Sequence, residues 1–365
     1  MKILHTSDIQ LDAPFRFLGE KGQAHRDQLR ATFANIVDLA INDGFDLLII
    51  AGDLFDSNRP SQSTVDFVTA QLRRAFIPVC ILPGNHDCYE QGSIYKKTEF
   101  PNNVTVFTDE VGEKAFPELD ISVYGKAIRR RDTRESPLSG VKPSGDTRWN
   151  VATAHGNVDF GRIDDPVRPI SREEIAGCGM DYVAMGDWHG FSDYSEGNVK
   201  AFYCGAPEPT SFDHQNAGYV ASISLDESGV IVDRVRIGKI IANKDVLDIS
   251  GLNESEIIDA IQQHANPILM FEVNLTGLLD VDTIIDPEQL VNALSSNFYA
   301  LRIIDQTHPQ LEDISLDDYL SNNVIRKYIE LMIGRIDEAP DEESRRRAER
   351  ALQVGVALLE GKEVV

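Results

Sequence analysis

"FDLLIIAGDLFDSNRP", residues 45–60, and "VCILPGNHDCYE", residues 79–90, share one design: a short apolar run, then a turn dense in polar groups. Runs this short and this apolar read as strands buried on both faces. Turn chemistry explains Gly, Asp and Asn where a strand ends. It does not explain a His among them. The same ending recurs elsewhere, with Asp8 and Gln10 after "KILHTS", His155 after "VATA", and Asp187 and His189 after "YVAM". Between the first strands lie helical patterns, at 26–43 (Leu29, Phe33, Ile36, Val37, Ala40) and at 61–76. This βαβαβ rhythm predicts an α/β fold, a sheet covered by helices. The strand ends of such a sheet can meet along one edge, where open α/β folds place their sites.

Collected in order, the strand-end residues are Asp8, Gln10, Asp53, Asp56, Asn85, His86, His155, Asp187 and His189. Seven or so oxygen and nitrogen donors are what a pair of divalent cations needs, with one carboxylate bridging ions about 3.5–4 Å apart. A lone DxQ or GDxxD is usually an ordinary polar strand end. The ordered set is not.

The string D-x-Q, GDxxD, GNHD, HG, GDxH resembles the calcineurin-like metallophosphoesterase superfamily. The segments "ILHTSDIQLDAPF", "LLIIAGDLFDSNRPS", "VCILPGNHD" and "DYVAMGDWHG" are similar to SbcD-type DNA-repair exonucleases. The motifs span residues 1–205, and the likeness thins beyond about 245. The resemblance implies a four-layer αββα sandwich with a small α+β C-terminal capping domain. It also implies a site. Asp8 and His189 would hold a first metal, Asp53 would bridge, and Asn85 and His155 would hold a second. His86 would act on the phosphate as stabiliser or proton donor, oriented by the carboxylate of Asp56. DNA as substrate, an SMC-like ATPase partner and a homodimer are implied in the same way.

Two positions depart from that pattern: Gln10 and Asp187 stand where His is usual. Both remain oxygen donors, so both are kept as candidate metal ligands. Gln10 is a weak neutral ligand, which predicts a loosely held first metal, and Asp187 adds negative charge at the second. An oxygen-rich set favours Mn²⁺, or Mg²⁺, over Zn²⁺. Gln in the first motif also occurs in relatives that cleave small nucleotide diphosphates. Besides the DNA exo- or endonuclease, two readings therefore stay open: a small-molecule nucleotide phosphodiesterase or pyrophosphatase, and a catalytically weak scaffold.

Composition sets the bounds. The chain has 365 residues, 42% of them apolar, enough for two or three domains with real cores. The net charge of −24, from 59 acidic and 35 basic residues, disfavours non-specific attraction to polyanions. DNA contact must come from bound metal or a local basic patch. The candidates are Arg16 and the run "KAIRRRDTR", residues 126–134, with Lys126, Arg129, Arg130 and Arg131. These grip phosphates or pair with nearby carboxylates on a surface loop. Four cysteines without a CxxC pair predict reduced thiols. No signal-like or membrane-length apolar stretch occurs, so a cytoplasmic location is expected.

Residues 1–243 are read as the metallophosphoesterase domain, 244–338 as the capping domain and 339–365 as a C-terminal helical segment. Helices are expected at 253–264, 287–295 and 344–360. The last has a basic first turn, unfavourable at the positive end of a helix dipole. It therefore calls for an acidic neighbour, in its own capping domain or in a partner.

Overall fold

The computed structural model describes residues 1–158, 167–279, 285–309 and 324–359. The chain divides into two units, Met1–Ala242 and Asn243–Val365.

The first unit holds two six-stranded sheets. One is built from β1 (Lys2–Thr6), β2 (Leu47–Ala51), β3 (Val79–Leu82) and β4 (Val104–Val106), with β13 (Tyr219–Asp226) and β14 (Gly229–Arg236), in the order β14-β13-β1-β2-β3-β4. Strands β1 to β4 are parallel, and β13 closes antiparallel onto β1. The other sheet uses β5 (Gly112–Phe116), β6 (Ile121–Gly125), β7 (Trp149–His155), β10 (Tyr182–Gly186), β11 (Ser192–Asp193) and β12 (Lys200–Tyr203). Its order is β11-β12-β10-β7-β6-β5, parallel through β6, β7, β10 and β12. Two short strands, β8 (Asn157–Val158) and β9 (Pro169–Ile170), pair beside it.

Alternation explains the layers. Ile3, Leu47, Ile49, Cys80 and Leu82 of the first sheet share one core with Val123, Val151, Tyr182, Ala184 and Phe202 of the second. Odd and even positions of each strand face opposite ways. Accordingly Ala152, Ala154, Val183 and Met185 pack on the far side, with Ile175, Cys178 and Met180. That outer layer is thin, since α4 (Arg172–Gly177) is its six-residue helix. It carries the capping box expected from Ser171 and Glu174. α1 (Lys21–Asn42) and α2 (Gln62–Ala75) bury apolar stripes, α1 through Leu29, Phe33, Ile36, Val37 and Ala40. α1 begins five residues before the expected start. Those residues lack the apolar spacing that the reading depended on. A one-turn helix, α3 (Ile94–Lys97), follows the GNHD turn. The architecture is the αββα sandwich, and all four cysteines are buried free thiols.

The second unit contains a three-stranded sheet, β15 (Ile241–Asp248), β16 (Asn266–Thr276) and β18 (Phe298–Asp305), in the order β15-β16-β18. A short pair, β17 (Leu278–Leu279) and β19 (His308–Pro309), accompanies it. Helices α5 (Glu254–Gln262) and α6 (Pro287–Leu294) lie close to the expected spans. α7 (Val324–Asp337), which the sequence reading did not foresee, packs Ile329, Met332 and Ile336 on Leu352 and Val356 of α8 (Glu342–Leu359). Residues 338–341 make the turn into α8; Glu360 to Val365 lie outside the described residues. The acidic neighbour expected for α8 is α8 itself. The helix starts early enough to place Glu342 and Glu343 in its first turn, and Arg345, Arg346 and Arg347 pair with Glu349, Glu342 and Glu343. Among the described residues no helix is long and apolar enough to cross a membrane.

Candidate metal centre

The ends of β1, β2, β3, β7 and β10 deliver their polar residues to one place. Beyond β1 and β2 the chains keep running together, with Asp8 N–H donating to Gly52 O (3.1 Å) and Gln10 N–H to Asp53 O (2.9 Å). They do so in a kinked form: φ is 54° at Asp8, 49° at Gln10, 52° at Asp53 and 93° at Asp187. Left-handed backbone is costly outside Gly, Asn and Asp, and it gathers where a site over-determines it. Here it turns successive carboxylates toward a common centre.

Asp8, Asp53 and His155 offer ligand atoms within 4.8 Å of one another, all three residues buried. Asp8 accepts the Asp187 N–H on both oxygens, at 3.2 Å each, and lies 3.7 Å from His189 Nε2. Asp53 Oδ1 accepts the His86 N–H at 2.8 Å. Gly84 lies so close that a Cβ there would sit 2.0 Å from the same oxygen, which is why the GNHD turn needs its glycine.

His155 shows what the centre calls for. Its Nδ1–H donates to Ala51 O at 2.9 Å, so Nε2 of the neutral ring is a bare lone pair. Around Nε2 stand Asn85 Oδ1 at 2.8 Å, Asp53 Oδ2 at 3.4 Å and Asp187 Oδ1 at 3.6 Å. Lone pairs facing lone pairs repel, so a positive charge belongs between them. Without a metal, protons must supply it. Burial, together with the charges of Asp53 and Asp187, lifts the Asp8 carboxyl to about 8 against the pull of His155. Burial disfavours a charged His155, yet Asp53, Asp187 and Asp8 raise it to about 10. Burial likewise works against ionised Asp53, but His155 and His86 hold it down at about 2. The residues fit divalent cations, whose binding must expel the protons on Asp8 and His155. Affinity should therefore rise with pH through the range up to about 8–10. At pH 7, calorimetric titration with Mn²⁺ in buffers of different ionisation enthalpy should show about two protons released in all. Release near zero would mean that the cation binds elsewhere.

The other residues are placed as follows. His86 Nδ1–H donates to the main-chain oxygen of Asp56 at 3.0 Å, while the Asp56 carboxylate stays 3.8 Å away. The hydrogen bond of the imidazole thus goes to the Asp56 main chain, whose N–H in turn donates to Leu11 O (3.0 Å). Gln10 Oε1 accepts from Thr210 Oγ1 at 3.1 Å, and its amide nitrogen lies 3.5 Å from His189 Nε2. The amide must turn over to offer oxygen to a cation. The basic run is largely occupied: Lys126 pairs with Glu135, Arg130 with Asp132, and Arg129 donates to Thr108 O. Arg131 donates to Asn85 O at 3.1 Å and so braces the GNHD turn. Arg16 is exposed in the turn after the Asp8 motif.

Sequence reasoning missed several participants. Asp87 is fully buried and accepts from Gly84 N, Phe55 N and Tyr95 Oη, fixing the turn from inside. Arg168 and Asn157 both donate to the Asp187 carboxylate. His214 Nε2 shares a hydrogen bond with His189 Nδ1, and Thr210 N–H donates to His214 Nδ1 at 3.2 Å. Trp188, between Asp187 and His189, is 52% exposed. A review of all eight histidines would have flagged His214.

Comparison with known proteins agrees with this geometry, for residues 1–191 match the model of the family described as calcineurin-like phosphoesterase. The chain belongs to that family. It is a metal-dependent phosphoesterase. Among calcineurin-like relatives, it is 29% identical over 200 residues to an uncharacterized metallophosphoesterase, YhaO, of Bacillus subtilis, covering 52% of this chain but 48% of YhaO. The chain thus spans about half the length of that relative. The SbcD subunit of nuclease SbcCD from Staphylococcus epidermidis is 25% identical, over 85% of this chain and 87% of the relative. DNA double-strand break repair protein Mre11 of Sulfolobus acidocaldarius is 25% identical, over 93% and 92%.

Proposed function

We infer that this protein is a two-metal phosphodiesterase that cuts DNA as the nuclease subunit of a repair complex with an SMC-like ATPase. The observation that carries the reading is similarity along nearly the whole chain to a nuclease subunit and a DNA break-repair protein, joined to a centre where Asp8, Asp53 and His155 offer ligand atoms within 4.8 Å of one another. Bound divalent cations supply charge stabilisation at the phosphoryl oxygens and a water of lowered pKa. Asp8, His189 and, once its amide turns, Gln10 hold the first ion. Asn85, His155 and Asp187 hold the second. Oxygen donors predominate, which favours Mn²⁺. With the Thr210 bond in place, His214 carries its proton on Nε2 and offers it to His189. A cation on His189 Nε2 requires this pair to reverse, which makes the first site the weaker one. His86 stands outside the ligand set and protonates the leaving oxygen or steadies the phosphoryl charge.

The net charge and Gln10 favour a second reading, a phosphodiesterase for small nucleotides. Metal-stripped protein plus Mn²⁺, given labelled single- and double-stranded oligonucleotides beside bis(4-nitrophenyl) phosphate, separates the two. Cleavage of both substrate types is the expected result. Hydrolysis of the small diester with intact oligonucleotides would move the reading to nucleotide chemistry. Better restoration by Zn²⁺ than by Mn²⁺ would overturn the metal assignment.

A further inference from the structure

Asp187 brings a further negative charge into a centre that already contains the buried carboxylates of Asp8 and Asp53. Arg168 answers it. Its Nη2 lies 3.1 Å from Asp187 Oδ1 and 3.0 Å from Oδ2, and its side chain is only 8% exposed. Nη1 donates to Arg131 O, the main chain of the residue that braces the GNHD turn. Asn157, on β8, donates to Asp187 Oδ2. Arg168 thus bonds both oxygens and Asn157 adds a second donor on Oδ2, while Oδ1 also faces His155 Nε2 at 3.6 Å.

Arg168 is held there at a cost. Its φ is 51°, a region unfavourable for a long side chain. Main-chain bonds from Arg168 N–H to Thr133 O (2.8 Å) and from Asn157 N–H to Arg168 O (3.0 Å) keep it so. Its Nε is buried without a hydrogen-bond partner among the described residues. A residue selected for packing alone would seldom combine a strained backbone, a buried charge and an unmet donor.

We propose that Arg168 is the positioning residue and counter-charge of Asp187, so that carboxylate and guanidinium together present the second metal with a ligand of no net charge. The inference rests on Asp187 being a ligand of the second ion. It explains how the centre accommodates an Asp without trapping its cation: the added negative charge is cancelled locally, and Oδ1, with one donor against the two on Oδ2, is the oxygen turned toward His155 and the metal. The orienting bonds come from partners that already hold Oδ2, the usual arrangement for a ligating carboxylate.

The test is a double-mutant cycle on metal affinity, with Arg168→Gln, Asp187→Asn and the pair together, each titrated with Mn²⁺ by calorimetry after thermal melting confirms folding. Arg168→Gln keeps a donor and loses the charge, so the tighter Mn²⁺ step should strengthen by about tenfold. Asp187→Asn leaves Arg168 uncompensated and should weaken that step by about tenfold or more. The double variant restores neutrality and should return to within about threefold of the parent. A merely structural Arg168 would weaken binding when replaced. A carboxylate acting only as a ligand would leave Asp187→Asn and the double variant equally weak. Either result overturns the proposal. If Arg168→Gln does not fold, rescue of Asp187→Asn by the second change still decides it. Parent protein that binds fewer than two Mn²⁺ would sink the two-metal reading itself, and this inference with it, an outcome distinct from both.

Discussion

His86→Ala should lower kcat on oligonucleotides by about 10²–10⁴-fold while Mn²⁺ stoichiometry and melting temperature stay as in the parent. Loss without metal loss is expected because the link between His86 and the centre is its main-chain N–H on Asp53 Oδ1 (2.8 Å), which alanine keeps. The imidazole itself is 34% exposed, with Nε2 4.0 Å from Asp53 Oδ2, close enough to reach a phosphate held at the ions. Leaving groups separate its two proposed duties. A proton donor matters most when a poor alkoxide departs, so the defect should shrink sharply on bis(4-nitrophenyl) phosphate. An equal defect on both substrates would assign His86 to the phosphoryl charge instead. Activity within about fivefold of the parent on oligonucleotides would remove it from the reaction altogether.

Gly186→Ala is expected to damage both the fold and the centre. A Cβ at this residue would lie 2.0 Å from Ala51 O, 2.8 Å from His155 Nδ1 and 2.9 Å from Ser7 Cβ. Two of these neighbours belong to the facing sheet and its strand-end turn, and neither is the free end of a flexible side chain. Relief requires the two sheets to separate locally, at a cost of about 3 kcal/mol or more. For a unit of this size that is a fall in melting temperature of roughly 6–12 °C. The same intrusion breaks the His155–Ala51 hydrogen bond that orients the imidazole (2.9 Å), so Mn²⁺ affinity should drop about 10–100-fold. Gly177→Ala is the control, since nothing lies within 4 Å of a Cβ there. A melting temperature for Gly186→Ala equal to that of Gly177→Ala would contradict the close sheet contact.

The strand ends were legible because there the chemistry is written next to the pattern. A run such as "LLIIA" announces a buried strand, and the two residues after it are delivered to the sheet edge by chain connectivity alone. Asp8, Asp53, Asn85, His86, His155, Asp187 and His189 all follow such runs. Arg168, Thr210 and His214 follow none that aims them. They lie in connecting segments and meet the centre through tertiary folding, 19 residues of chain separating Arg168 from Asp187 and 25 separating His214 from His189. Asp56 meets His86 by a route the sequence does not display. Sequence names a carboxylate, but the hydrogen bond to His86 uses a main-chain carbonyl, which every residue has. The basic run left two readings open for the opposite reason, since its charges are visible in sequence while their partners Glu135, Asp132 and Thr108 are not. Helix α7 escaped because its stripe is completed only by α8.

The left-handed backbone at Asp8, Asp53 and Asp187 also bears on how this lineage can change. Asn and Gly tolerate that conformation, whereas β-branched residues do not. Drift at these positions is therefore channelled toward exchanges that erase charge and keep the chain's path. A descendant relieved of its chemistry would retain the sandwich, with Asn or Gly at these corners, and would still pass for an enzyme by shape.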